Sequence, residues 1–471
     1  GKFINDVGAI VNSTQVKAGA NPGSIGIVAK DGVVENKGII NSENIGVYGS
    51  TGVGTTEIKH TGTLNIKSGT GVYLKDTGAS NTVSASLNGG TILAASGLSN
   101  ISAVVAEERS KVILNGTNIT VNDNSNAIAL IGNSGKKAEL EIKSGNLNIG
   151  SQGVGIYSKE SDVTVDSSYS GTLSLGEKST GIYIDEKSSL SGTGIININY
   201  AGVDKGVGIF YKEGIRDNKV GITNSILNDN LINIYGENLS LTNSAEQIVG
   251  KNGIGIYVIG SAAKPSIIAN NAELKLDGED SIGMYAKDST TITSLGTISG
   301  SNSKNDKIGV FLDGGDITGT LDYTFEVDGG IGIYMKKYMS YSGQMNLSGT
   351  SYNDGVNDYR AIGILVDKAA GTGILAANLE MSGANGIGIY LDSNNISGPN
   401  LTYTGQLDMN ATSGDLEKGI GVYVNEATTF NLGTGGAVNI AGDNNIGFYV
   451  ADGGTLNIGN GSVTNTENGI F

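Results

Sequence analysis

The sequence predicts an all-β chain: a parallel β-solenoid of about 18 coils, each about 26 residues long. Three observations carry this: a glycine-centred phrase that returns at a fixed interval, a second alternating phrase midway between its copies, and no segment with helical periodicity.

The first phrase reads Ile45-Gly46-Val47-Tyr48, Val154-Gly155-Ile156-Tyr157, Ile254-Gly255-Ile256-Tyr257 and Ile387-Gly388-Ile389-Tyr390, with further copies between. Degenerate copies complete the series at Ala103, at Ala129 in Ile128-Ala129-Leu130-Ile131, and at Asn233. From Gly26 to Gly469 there are 443 residues over 17 intervals, a mean of about 26. The second phrase, as in Thr63-Leu64-Asn65-Ile66 and Gln406-Leu407-Asp408-Met409, alternates apolar and polar residues between Gly, Asn and Ser. It reads as a strand with one buried face. A shorter third strand, such as Gly38-Ile39-Ile40, completes many units. Two or three short strands per unit make one coil of a parallel stack.

The first, third and fifth positions of the glycine phrase are aliphatic in nearly every copy, so strict alternation sends them to the core. The glycine and the aromatic are then expected to share the outer face. The aromatic column runs Val28, Tyr48, Tyr73, Val105, Ile131, Tyr157, Tyr183, Phe210, Tyr235, Tyr257, Tyr285, Phe311, Tyr334, Leu365, Tyr390, Tyr423, Tyr449, Phe471. Its expected role is structural, ring on ring and ring on glycine, with a ligand platform as the other reading. Acidic residues recur just after the aromatic, among them Asp31, Asp76, Asp185, Asp313 and Asp367, often beside lysine. This pattern predicts a solvated charged turn, with scattered calcium binding as the lesser alternative.

Composition narrows the function classes. The 471 residues carry a formal net charge of -16, with no clustered basic face, which excludes a nucleic-acid binder. Cysteine is absent and His60 is the only histidine, so a Cys/His zinc site and a nucleophile relay lack their parts. His60 is expected at the surface. No catalytic residue, metal or cofactor is assigned. Residues 1–471 read as a single continuous segment of a longer chain, because the text at both ends is strand-like.

Ligands on a solenoid bind where coils lengthen. The intervals Gly71 to Ala103, Gly332 to Gly363 and Gly388 to Gly421 exceed the mean. The middle one carries Lys336, Lys337, Tyr338, Tyr341, Tyr352, Tyr359 and Arg360, residue types that dominate recognition surfaces. The third, with Asn394, Asn395, Pro399 and Tyr403, is placed to extend the same patch.

Glycine-aromatic phrases alternating with Thr-Leu-Asn-Ile phrases, in an acidic chain rich in Gly, Asn and Ser and free of Cys, resemble the passenger regions of large fusobacterial autotransporter adhesins of the type V class. The resemblance spans the chain. It implies a right-handed parallel β-helix displayed extracellularly at the outer membrane and anchored there by a barrel outside this segment. It also implies coaggregation with partner bacteria and attachment to host-cell receptors or glycans. A passive stalk carrying a distal binding domain and a polysaccharide-processing β-helix enzyme are the alternative functions.

Overall fold

The computed structural model describes all residues except 14–23, 77–82, 134, 225–229, 319–321, 394–397, 411–418, 442–444 and 466–471. The chain divides into two compact units, one of residues 1–214 with 218–235, the other of 215–217 with 236–471. A stack makes contacts only between near neighbours along its axis, so the single segment read from the repeat can divide this way without any break in its pattern. Each unit is a stack of parallel β coils. Together they make about 16 turns of β-solenoid, close to the 18 expected. The last copy of the phrase, at Gly469 and Phe471, lies outside the described residues.

In the first unit eight turns each contribute one strand to each of three parallel sheets. The glycine phrases form one sheet, in which Ile156 pairs with Ile182 and Ile182 with Ile209. The alternating phrases form a second, in which Leu147 pairs with Leu173. The third has eight strands, from Lys2–Asn5 to Ser189–Gly192. Buried residues alternate with half-exposed polar ones along Thr56–His60 and Thr63–Ile66, as a one-sided strand requires.

The second unit keeps the first two sheets throughout, but its third side is interrupted. Strands Ser266–Asn270, Thr290–Ser294 and Asp316–Ile317 pair in sequence. The side resumes with Thr372–Leu375, Asn400–Tyr403, Thr429–Leu432 and Thr455–Ile458. Between them, 336–343 passes without a strand.

The glycine phrase departs from simple alternation. Its third and fifth residues are buried, as Ile256 and Val258 are. The glycine also faces inward: a Cβ on Gly388 would lie 2.8 Å from Leu407 Cδ1, and one on Gly71 would lie 2.9 Å from Leu64 Cδ2. The first residue varies: Ile25 is 41% exposed and Thr70, Ser102 and Asn126 replace the aliphatic at half-exposed places, whereas Ile254 is buried as expected. In the second unit Ile331, Ile362, Ile387 and Ile420 form a cluster against Tyr334, Leu365, Tyr390 and Tyr423. The expectation that glycine shares the outer face with the aromatic is therefore reversed. Two successive residues point inward because the strand bends at the glycine. The bend brings the next turn's carbonyl within 2.6 Å of where the Cβ would be, as Gly421 O is at Gly388.

One copy shifts by two residues. Asn126 pairs with Val154 and Ala129 with Tyr157, so Ala127 takes the glycine place and Ala129, not Ile131, stands in the aromatic column. With Ala at both 127 and 129, the local text fits either alignment, and only the ladder pairing separates them. Ala103 occupies the glycine place as expected, since Val104 pairs with Val72.

Candidate interaction site

The aromatic column forms ring stacks. In the first unit Tyr157, Tyr183, Phe210 and Tyr235 stack at 5.1–5.2 Å. In the second, Tyr285, Phe311 and Tyr334 stack at 4.7–4.8 Å with interplanar angles of 14–18°. Rings stacked along the axis spend their faces on one another, which leaves only edges outward and suits the structural reading over a platform. Where the next turn lacks a tyrosine, the hydroxyl turns to an acid of that turn. Tyr285 donates to Asp313 Oδ2 at 2.8 Å, beside Phe311, and Tyr334 donates to Asp367, beside Leu365. Burial, followed by these carboxylates, raises both phenol pKa values.

The acidic ridge holds turns together rather than merely solvating them. Asp31 accepts the N–H groups of Gly52, Val53 and Gly54 from the next turn, which lower its pKa. Asp185 is 7% exposed and accepts from the backbone of Glu160, Lys187 and Ser188. Asp76 is buried and accepts from Thr51 Oγ1. Among the described residues no group of three or more His, Asp or Glu is placed to hold a metal ion.

His60, expected at the surface, is 1% exposed. It ends a ladder of buried side chains: Asn5 Nδ2 donates to Asn36 Oδ1 at 2.7 Å, and Asn36 Nδ2 lies 3.1 Å from His60 Nδ1. His60 Nε2 faces Thr91 O at 3.2 Å. These partners fix a neutral imidazole that accepts at Nδ1 and donates at Nε2, and burial lowers its pKa to about 4. The residue is internal because its strand, Thr56–His60, alternates inward at 56, 58 and 60.

The long middle interval is split by the strand Gln344–Leu347, which puts its residues at two corners of the turn. At the first corner, Lys336 Nζ lies 5.2 Å from the Phe311 ring centroid and 3.8 Å from Asp313 Oδ1. Lys337 is exposed. The Tyr338 ring covers Gly373, where a Cβ would lie 2.2 Å from it, and its hydroxyl donates to Gly371 O at 3.4 Å. Tyr341 is 1% exposed and donates to Gln344 O at 2.8 Å. With Met339 it fills the side that lacks a strand in this turn. Tyr403 is also fully buried, with its hydroxyl on Ala377 O at 2.9 Å. Tyr341 and Tyr403 therefore leave the candidate set, since neither can present its ring to a partner. The spacings Met339-x-Tyr341 and Leu401-x-Tyr403 signal this, because each pairs the tyrosine with an apolar residue on one face. Asn394 and Asn395 lie outside the described residues.

The second corner carries a feature of another kind. Tyr352–Asn353 and Asp358–Tyr359 pair antiparallel, the one antiparallel pair of strands among the described residues. The two tyrosine rings stack at 6.4 Å. Asp354 closes the turn by accepting from Val356 N at 2.9 Å and Asn357 N at 2.8 Å, and Asn353 Oδ1 accepts from Gly355 N. Lys304, from an earlier turn, pairs with Asp354 Oδ2 at 2.9 Å. The backbone hydrogen bond from Asn357, followed by Lys304, holds the Asp354 carboxyl far below the usual range. Asn305 Nδ2 donates to Arg360 O and to Gly329 O, fastening the base. The tip projects Val356, 85% exposed, between exposed Gly355, Asn357 and Asp358. Lys304 and Asn305 were missed from sequence, since they lie some fifty residues upstream and meet the hairpin only through stacking. No protein family, curated protein or solved structure matches the chain.

Proposed function

We propose that this chain is a non-enzymatic segment of a bacterial surface adhesin, exported as an autotransporter passenger, with the Tyr352–Tyr359 hairpin as its recognition element for host cells or other bacteria. One observation carries the reading. In a structure built of repeating turns, this insertion is braced by Lys304 and Asn305 of an earlier turn and holds an apolar side chain out in water. Bracing before contact lowers the ordering cost of binding, which is the economy a recognition loop needs. Lys336 and Lys337 sit at another corner of the turn and are not part of this surface. The repeat phrases and acidic, Cys-free composition support the surface-display part of the reading through resemblance.

The test uses beads coated with the whole segment and a variant in which Asn353–Asp358 is replaced by a short Gly-Ser turn. Attachment to epithelial cells and to partner bacteria is expected to fall for the variant, with its circular dichroism and melting unchanged. Equal attachment by both proteins rules the hairpin out. Attachment by neither favours a passive stalk.

A further inference from the structure

Tyrosine meets tyrosine on adjacent turns at Tyr48 and Tyr73, Tyr157 and Tyr183, Tyr257 and Tyr285, and along Tyr390, Tyr423 and Tyr449, with ring centroids 4.7–5.7 Å apart. The adhesion reading makes no use of them. Two phenols held this close are the reactants of an oxidative coupling, already paired by the fold, so the step is a local reaction rather than a search.

Tyr257 and Tyr285 combine two features that no other of these pairs shows together. Their rings lie 4.7 Å apart and are tilted by 45°, whereas Tyr390, Tyr423 and Tyr449 stack within 20° of parallel. A carbon–carbon bond between phenols joins ring edges and twists the rings, so the tilted pair starts nearer to the product. The Tyr285 hydroxyl also donates to Asp313 Oδ2 at 2.8 Å, so the proton released on oxidation has an acceptor in place. On its other side Tyr285 stacks on Phe311, which has no phenol to couple, leaving Tyr257 as the neighbouring phenol.

We propose that Tyr257 and Tyr285 form a modification site, cross-linked ortho to ortho as an intramolecular dityrosine when a haem peroxidase and hydrogen peroxide act on the protein. Each phenol gives up one electron and its hydroxyl proton to become a phenoxyl radical. The two radicals join through one Cε carbon of each ring. The two hydrogens on those carbons then move to the oxygens, restoring both hydroxyls and both aromatic rings. The protein loses two hydrogen atoms in all, and one peroxide takes up two electrons and two protons to give two waters. The new bond staples neighbouring turns and restricts the unfolded chain as a disulfide does.

The experiment treats the whole segment with peroxide and a haem peroxidase, then maps cross-linked peptides by mass spectrometry and follows dityrosine fluorescence. The expected product is a monomer lighter by two hydrogens, with the Tyr257 and Tyr285 peptides joined and severalfold more of this link than of any between Tyr390, Tyr423 and Tyr449. Tyr285→Phe keeps the ring and should abolish the link. Asp313→Asn should slow its formation without slowing links between Tyr390 and Tyr423. The proposal is overturned if links join separate chains, if another pair dominates, if Asp313→Asn leaves the rate unchanged, or if tyrosine is consumed without a link between these two residues.

Discussion

At the residue scale, the glycine of the recurring phrase is a packing residue. A methyl group at Gly388 would meet Gly421 O at 2.6 Å and Leu407 Cδ1 at 2.8 Å, and a backbone carbonyl cannot rotate away as a side chain can. Gly388→Ala is expected to destabilise by about 1–3 kcal/mol in urea unfolding, as overpacking does. Gly355→Ala at the exposed hairpin tip, where nothing lies within 4 Å, is not crowded, although its φ of 90° adds backbone strain of its own. His60 gives a pH signature. Its folded pKa, about 4, is below the unfolded value near 6.5, so the unfolded chain binds the proton more readily between them. Stability from this group is full above pH 6.5 and falls as pH drops towards 4, by about 3 kcal/mol in all. His60→Asn is expected to flatten that part of the stability–pH curve relative to the parent. Acid losses from Asp31 and Asp354, whose pKa values are also depressed, should persist in both proteins.

At the scale of the element, each strand is stabilised by what stacks above and below it. Tyr423 lies between Tyr390 at 4.9 Å and Tyr449 at 4.8 Å, and with its neighbours it packs against the buried isoleucines of the first position. Tyr423→Ala removes two ring pairs and should cost about 1–3 kcal/mol, while Tyr423→Phe should be nearly neutral, as read by chemical unfolding. Equal losses in both variants would mean that the hydroxyl, not the ring, matters. Asparagine ladders do the same on other strands, as where Asn65 donates to Asn41 and Asn41 to Asn12, each at 2.8 Å. The hairpin is the exception among these elements. Its backbone partners are within itself, and it reaches the stack through side chains such as Lys304.

At the scale of the whole molecule, turns that touch only their neighbours should be removable in whole units. Deleting residues 154–179 removes one full turn and lets Asn126 meet Thr180 in the register that Val154 now serves. The shortened protein is expected to keep its β-type circular dichroism and a cooperative transition. Deleting 162–170 alone removes one side of a turn and should abolish the transition. The repeat period made the fold class legible, because identical text must build identical turns and a parallel ladder is their simplest stack. It also made the aromatic ladder and the site of the long insertion legible. The inward glycine was not legible, since a bend that breaks alternation leaves no mark on composition. Neither was the alignment at Ala127 and Ala129, nor the burial of His60, where local text permits two answers. The sequence by itself determined the repeating turn, through periodic apolar burial. Only the tertiary structure decided which tyrosines are covered and which earlier turn braces the hairpin, because those contacts join residues that stacking alone brings together.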